Sequence, residues 1–216
     1  MMSKKIGILG SGQVGIALAN GFHKHGYEVM LGTNDAEKRA GILEKTNEDI
    51  SIGTFSDVAG FSDVLILAVK GSAAEEAIRI AGIEALTNKI ILDATNPIAD
   101  APPTNGVLHF FTTLEESLME RLQNLAPEAR FVKCFSCVGN ARMIDPDFGG
   151  VKPTMFIAGN DDQAKERVTD ILDEIGWETE DMGKAEGARA IEPLAILWCI
   201  PGMIRGQWSH AFKMLK

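Results

Sequence analysis

Short apolar runs that do not alternate with polar residues recur from one end of this chain to the other, and amphipathic stretches separate them. No other pattern limits the fold as much. Strands apolar at every position are buried on both faces, and strands joined through helices lie parallel. The spacing predicts strands at Ile6–Leu9, Glu28–Leu31, Ile50–Gly53, Val64–Val69, Ile90–Leu92, Phe131–Phe135, Thr154–Ala158 and Trp177–Glu180. Val14, Leu18 and Phe22 recur at helical spacing, with Gly26 as the stop. Asn34 is placed to cap a helix running to about Lys45, and another helix follows from about Ser72. Thr113 and Glu116 have capping-box spacing ahead of Leu114, Leu118, Leu122 and Leu125. Asn160 is placed to cap a helix with Ala164, Val168, Ile171, Leu172 and Ile175 on one face. The tail from Lys184 reads as helical, interrupted at Pro193 and at Pro201-Gly202. The expectation is an α/β fold, a doubly wound and mostly parallel sheet of about eight strands over residues 1–183. Residues 184–216 form a helical C-terminal extension that packs on it or forms a dimer interface.

Composition excludes several other classes. The chain has 216 residues, of which 45% are hydrophobic and 24% charged, values of an ordinary globular protein. Its net charge of -9 argues against partners that are nucleic acids or anionic membrane surfaces. The longest apolar runs, Val64 to Val69 and Leu194 to Ile200, fall far short of the roughly 20 residues that a membrane span needs. No secretory apolar region follows Met1. Three cysteines, Cys134, Cys137 and Cys199, make no disulfide framework, so the expected compartment is a reducing cytoplasm.

In open parallel sheets, ligands sit beyond the carboxyl ends of the strands. The loops after strands one, two, four, five and six are therefore the places to search. Gly10-Ser11-Gly12-Gln13-Val14-Gly15 follows the first strand directly and opens the first helix, which is the context a dinucleotide site needs. Gly10 permits the tight turn, Gly12 lets backbone approach a pyrophosphate, and Gly15 lets helix and strand pack closely. The helix amides and dipole then receive the phosphates. NAD enzymes usually carry an acid at the end of the second strand. Here Gly32 holds that place, followed by Thr33 and Asn34, with Lys38 and Arg39 one turn on. These can serve a 2′-phosphate, although Asp35 would repel one, and NADP is favoured over NAD. With the glycine segment, the expected cofactor-binding set is Thr33, Asn34, Lys38, Ala68, Val69, Lys70, Ala94 and Asn96.

The substrate side is less sharply drawn. Lys70 follows strand four, where it could meet an anion or simply be solvated. Thr95-Asn96-Pro97 follows strand five, where the nicotinamide end usually lies, and is also an ordinary turn. Cys134-Phe135-Ser136-Cys137 lacks the helix N-terminus that a redox pair needs and the two further ligands that zinc needs. It reads as two packed cysteines, with Ser136, Cys137 and Asn140 as pocket candidates. His23 and His25 suit a helix C-terminus. His109 lies in a long loop, residues 99–111, whose length suits a lid or a disordered surface segment. No metal spacing is present, so no metal is expected.

Several segments together are similar to one known family. They are Ile8 to Gly15, Gly32-Thr33-Asn34, Leu92 to Pro97, Val132 to Phe135, Pro153 to Asp161, and Ile191 to Ala195. The chain resembles the F420-dependent NADP oxidoreductases over nearly its full length. The resemblance implies a single Rossmann-like domain, usually a homodimer, that binds NADP. It implies hydride transfer between the nicotinamide and a deazaflavin, coenzyme F420, or a flavin-like acceptor. Such an acceptor takes hydride directly, so proximity and orientation would supply most of the catalysis.

Two other readings stand beside it. One is an NADPH-dependent reductase of a small carbonyl, imine or quinone substrate, although only about 30 residues after the eighth strand are left for the helical domain such reductases add. The other is a non-catalytic NADP-binding redox sensor, which would bind nucleotide without turnover.

Overall fold

Each apolar run becomes a strand because its side chains find cover on both faces. The computed structural model describes residues 4–216. The strands are β1 (Lys5–Leu9), β2 (Glu28–Gly32), β3 (Ser51–Gly53), β4 (Val64–Leu67), β5 (Ile90–Asp93), β6 (Arg130–Lys133), β7 (Thr154–Gly159) and β8 (Glu178–Asp181). The helices are α1 (Gln13–Lys24), α2 (Arg39–Leu43), α3 (Phe55–Phe61), α4 (Ala74–Ala81), α5 (Leu118–Leu125), α6 (Asp162–Glu174), α7 (Ala188–Ile191) and α8 (Leu194–Arg205). They form one eight-stranded sheet of order β3-β2-β1-β4-β5-β6-β7-β8. On one face Leu18 and Phe22 of α1 and Val168 and Ile171 of α6 pack with Trp177 against the sheet. On the other, Val58 of α3, Ile78 of α4 and Leu122 of α5 do the same. The doubly wound expectation holds.

All neighbouring strands are parallel except β6 and β7. The exception has a simple cause. A parallel crossover needs an element long enough to traverse the sheet. Residues 134–153 contain only the three-residue turn Asn140–Arg142, so the chain folds back beside β6 and runs antiparallel. β6 also stops at Lys133 rather than Phe135. Phe135 turns the chain out of the sheet with φ 61, a left-handed conformation uncommon for a bulky residue.

Several helix starts differ from the sequence expectation. Asn34 caps no helix. Its Oδ1 accepts from Phe55 N at 3.3 Å, and the region begins with a 3-10 turn at Ala36–Lys38 before the short α2. The capping box lies at Ser117 and Glu120, while Thr113 and Glu116 form an isolated bridge. Asp161, not Asn160, caps α6 by accepting from Ala164 N at 2.7 Å. Asn160 instead receives Ala185 N.

The tail breaks near Pro193 as expected, but Pro201 lies inside α8, which runs on to Arg205 and ends at left-handed Gly206. The proline removes only the bond to Leu197 O on a half-exposed face. Residues 207–216 are not helical. They form a strap, pinned where Thr154 N donates to Phe212 O at 2.9 Å and Met214 N donates to Thr154 Oγ1 at 3.0 Å. By length and composition alone Ala185–Arg205 is long and apolar enough to cross a membrane. This departs from the sequence expectation, which counted only uninterrupted apolar runs. Within the fold Ala185, Ala188, Ile191 and Trp198 of that stretch are buried.

Candidate functional site

The parallel order brings the loops after β1, β2 and β4 to one edge of the sheet. There they form a groove of about 420 Å³. Gly10, Ser11, Gly12, Thr33, Asn34, Lys38, Ala68, Val69 and Lys70 line it, with Asp35, Phe55 and residues of α4. Gln13, Val14 and Gly15 form the first turn of α1 beside it.

The three glycines do different work. Gly10 has φ +124, and a Cβ there would strike the carbonyl of Ala68. A Cβ on Gly15 would strike the Gly10 carbonyl, so this glycine lets α1 lie against the β1 turn. A Cβ on Gly12 would meet nothing within 4 Å, so backbone here faces open space large enough for a ligand. Gly12 is also the N-cap of α1, and no side chain caps that end. The leading amides of a twelve-residue helix are thus left for an anion.

At the end of β2, Thr33 N donates to Gly53 O at 2.9 Å, and Thr33 Oγ1 accepts from Asp35 N at 3.2 Å. Lys38 pairs with Asp35 at 2.9 Å. The hydrogen bond from Lys38 holds the Asp35 carboxyl below its usual range. The acid that would repel a 2′-phosphate is thereby partly neutralised.

The ends of β5 and β6 hold the remaining candidates. Ala94 and Thr95 are buried. Asn96 Oδ1 and Ser136 Oγ are buried without a hydrogen-bond partner. Buried polar atoms without a partner are uncommon in folded proteins. Pro97 leads into the 99–111 loop by accepting from Phe111 N at 2.9 Å. That loop is ordered, contrary to a structureless segment. Ile98 bridges to Phe110, Thr104 bridges to Val107, and Thr104 Oγ1 lies 2.9 Å from His109 Nε2. Its Asp100 reaches back toward Lys70 at 3.8 Å. His109 therefore holds the loop together. His25 meets Asp145 at 2.8 Å, away from the groove.

Cys137 does not open onto a pocket. It is 1% exposed, and its Sγ lies 3.8 Å from Thr154 O. Burial pushes its thiol up to about 12 and raises that of Cys134 as well, so both are packed thiols, as the sequence suggested. Asn140 opens the 3-10 turn beyond Gly139, which lies against the Trp198 ring. Among the described residues no three His, Cys, Asp or Glu side chains could together hold a metal.

The sequence did not reveal Asp93, Lys133 and Glu192 as a unit. All three are buried, and Lys133 Nζ lies 2.7 Å from Asp93 Oδ2 and 3.1 Å from Glu192 Oε1. The available signal was a charge at the carboxyl end of each of β5 and β6, directly after apolar residues. A charge buried there needs a partner.

Residues 5–97 match the family described as "NADP oxidoreductase coenzyme F420-dependent". The F420-dependent NADP reductase of Methanothermobacter thermautotrophicus is 28% identical over 209 residues, covering 91% of this chain and 88% of that protein. Metalloreductase STEAP3 of Rattus norvegicus is 28% identical over 206 residues, or 93% of this chain. The chain spans only 39% of that relative's length. A crystal structure from Arthrobacter sp. FB24, described as a candidate F420-dependent NADP reductase, superposes with a TM-score of 0.90 at 28% identity, covering 98% of this chain and 99% of that one.

Proposed function

We propose that this chain, a member of the F420-dependent NADP oxidoreductase family, transfers a hydride between NADP and coenzyme F420 or a flavin-like acceptor. One observation carries the coenzyme half. The uncapped N-terminus of α1 stands over open space at Gly12, in a groove that ends at Thr33 and Lys38 with no acid at the tip of β2. The residues fit the dinucleotide. The first amides of α1 would hold the pyrophosphate, and Thr33, Asn34 and Lys38 the 2′-phosphate. Bound NADPH supplies the hydride. Ala68, Val69 and Ala94 offer a small apolar floor, and Lys70 stands at the rim. Asn96 Oδ1 and Ser136 Oγ are the unpartnered atoms that could orient the nicotinamide or the acceptor. Hydride passes directly, so the protein's contribution is orientation and exclusion of water.

We also read the protein as a cytoplasmic homodimer. Its cysteines are free, which suits a reducing compartment. The outer face of α8 exposes Leu197 and Ile204, which suits a second subunit.

The test is anaerobic NADPH oxidation with coenzyme F420 or FMN as acceptor, and NADH as control. Rapid turnover of NADPH with the deazaflavin is expected. Equal turnover of NADH would overturn the NADP assignment. Tight NADPH binding with no turnover on either acceptor would overturn the reaction and favour the sensor.

A further inference from the structure

The ion cluster beneath the coenzyme turn needs an explanation that stability does not supply. Asp93, Lys133 and Glu192 are at most 2% exposed. Replacing buried ion clusters with apolar residues of similar volume is often neutral or stabilising. The three residues come from the end of β5, the end of β6 and the joint between α7 and α8. Burial opposes the charge on Lys133, yet the two carboxylates hold its proton more tightly than usual.

The bonds of the cluster all lead to one place. Lys133 Nζ donates to Thr95 O at 2.7 Å. Asp93 Oδ1 accepts from Thr95 N at 2.9 Å and from Thr95 Oγ1 at 2.6 Å. The turn after β5 is thus gripped at its amide, its hydroxyl and its carbonyl. Glu192 accepts from Leu118 N and Met119 N, both at 3.0 Å. These amides open α5, whose dipole favours the excess negative charge.

Between the two gripped points runs the whole excursion of residues 98–116. One end leaves the Thr95–Asn96 turn and the other returns at Ser117. Both ends of the loop are therefore tied to a single ammonium group and its two carboxylates. Gly71 leans on the same turn, since a Cβ there would strike the Asn96 carbonyl. The segment bearing Lys70 is thereby set against it as well.

We propose that Lys133 is a positioning residue for hydride transfer, which with Asp93 and Glu192 fixes the Thr95–Asn96 turn and couples it to the 98–116 loop. The inference rests on the function proposed above for what the turn positions. The coupling itself can be read without turnover.

Lys133→Met alone would strand two buried carboxylates and unfold the protein. Asp93→Asn with Lys133→Met keeps the cluster's net charge, leaves Glu192 on its amides, and retains an acceptor for Thr95. It removes the grip on Thr95 O and the link to Glu192. The full-length variant is compared with the wild type by thermal melting, NADPH affinity, turnover with F420, and hydrogen exchange with and without NADPH. The variant should melt cooperatively and bind NADPH within about threefold of the wild type, while kcat falls about 100-fold. NADPH should protect residues 96–98 and 117–119 together in the wild type, and this joint protection should vanish in the variant.

Unchanged kcat with retained joint protection would overturn the proposal. Equal losses in affinity and kcat would also overturn it, since they mark a purely structural role. If the double variant does not fold, Glu192→Gln is judged by the same criteria. It keeps the Lys133–Asp93 pair and cuts the charged link to α5. A wild type that binds NADPH but does not reduce F420 refutes the proposed reaction, and the exchange data still decide the coupling.

Discussion

A methyl group added at Gly12 would meet no atom within 4 Å, whereas one at Gly15 would run into the Gly10 carbonyl. The same small change should therefore act on different properties at the two positions. Gly12 has φ -74 and ψ -175, a conformation open to alanine, so Gly12→Ala should leave the melting temperature nearly unchanged. Its methyl would occupy the space above the first amides of α1, and NADPH affinity should fall about tenfold or more, a loss of about 1.4 kcal/mol. Gly15→Ala should destabilise by about 1–3 kcal/mol through overpacking. Gly10→Ala should cost about 1–3 kcal/mol from its positive φ alone. Calorimetry and nucleotide titration on the three variants check this. A Gly12→Ala protein that binds NADPH like the wild type would show that the pyrophosphate does not approach there. The turn was legible in the sequence because its order is local, although the Ala68 carbonyl that also excludes a side chain at Gly10 was not. Strand, turn and helix start follow one another without a break.

The N-terminus of α5 shows what local reading misses at the scale of an element. Thr113–Glu116 and Ser117–Glu120 have the same spacing, and both fit a capping box. The second forms because it has tertiary support. Leu118, Met119 and Leu122 are buried behind it, and Arg189 donates to Glu120 Oε1 at 2.6 Å. The same logic moved the cap of α6 by one residue, from Asn160 to Asp161, and drew Asn34 to α3. Each shift was decided by a group distant in sequence, so element type was readable and boundaries were not. The hydrogen bonds from Arg189 pull the Glu120 carboxyl from 4.5 down to about 2 against the effect of burial. A depressed value means that the folded state binds the proton less tightly than the unfolded state. The stabilisation is complete above the unfolded value and is lost as pH falls through the window from 4.5 to about 2. Its size, reduced for the solvent reaching Arg189, is on the order of 2 kcal/mol. Glu120→Gln should lower stability at neutral pH and flatten the acid limb of the denaturation curve in that window. Acid limbs of equal steepness in both proteins would remove Glu120 as the cause. Ser117→Ala should cost about 1 kcal/mol for the lost cap, and it should also raise the Glu120 carboxyl, which accepts from the Ser117 hydroxyl at 2.7 Å.

At the scale of the whole molecule, the parallel half of the sheet was legible because non-alternating apolar strands demand two covered faces. The antiparallel return at β7 was harder to read, because its signal is an absence, the lack of a crossover helix in residues 134–153. The Asp93–Lys133–Glu192 cluster was illegible for a different reason, since only the folded sheet brings its three positions together. The surface of α8 has the opposite character, since its pattern is plain and its outer stripe stays exposed in the single chain. Leu197, Ile200 and Ile204 fall on one stripe of the helix, and Leu197 and Ile204 are 54% and 56% exposed. Trp208 packs on another side of α8, over Gly202 and 5.6 Å from Trp198. Met203 borders the stripe next to Gly106 of the loop. Left uncovered, this face would present Leu197, Met203 and Ile204 to water. A two-fold pairing of α8 with its copy would bury that stripe against an identical one. Sedimentation equilibrium should therefore give about twice the 23.3 kDa of the single chain. Leu197→Glu with Ile204→Glu should shift it to the monomer by placing like charges across the two-fold axis. A wild-type protein that remains a monomer at micromolar concentration would refute this pairing and leave α8 as a surface with a different occupant.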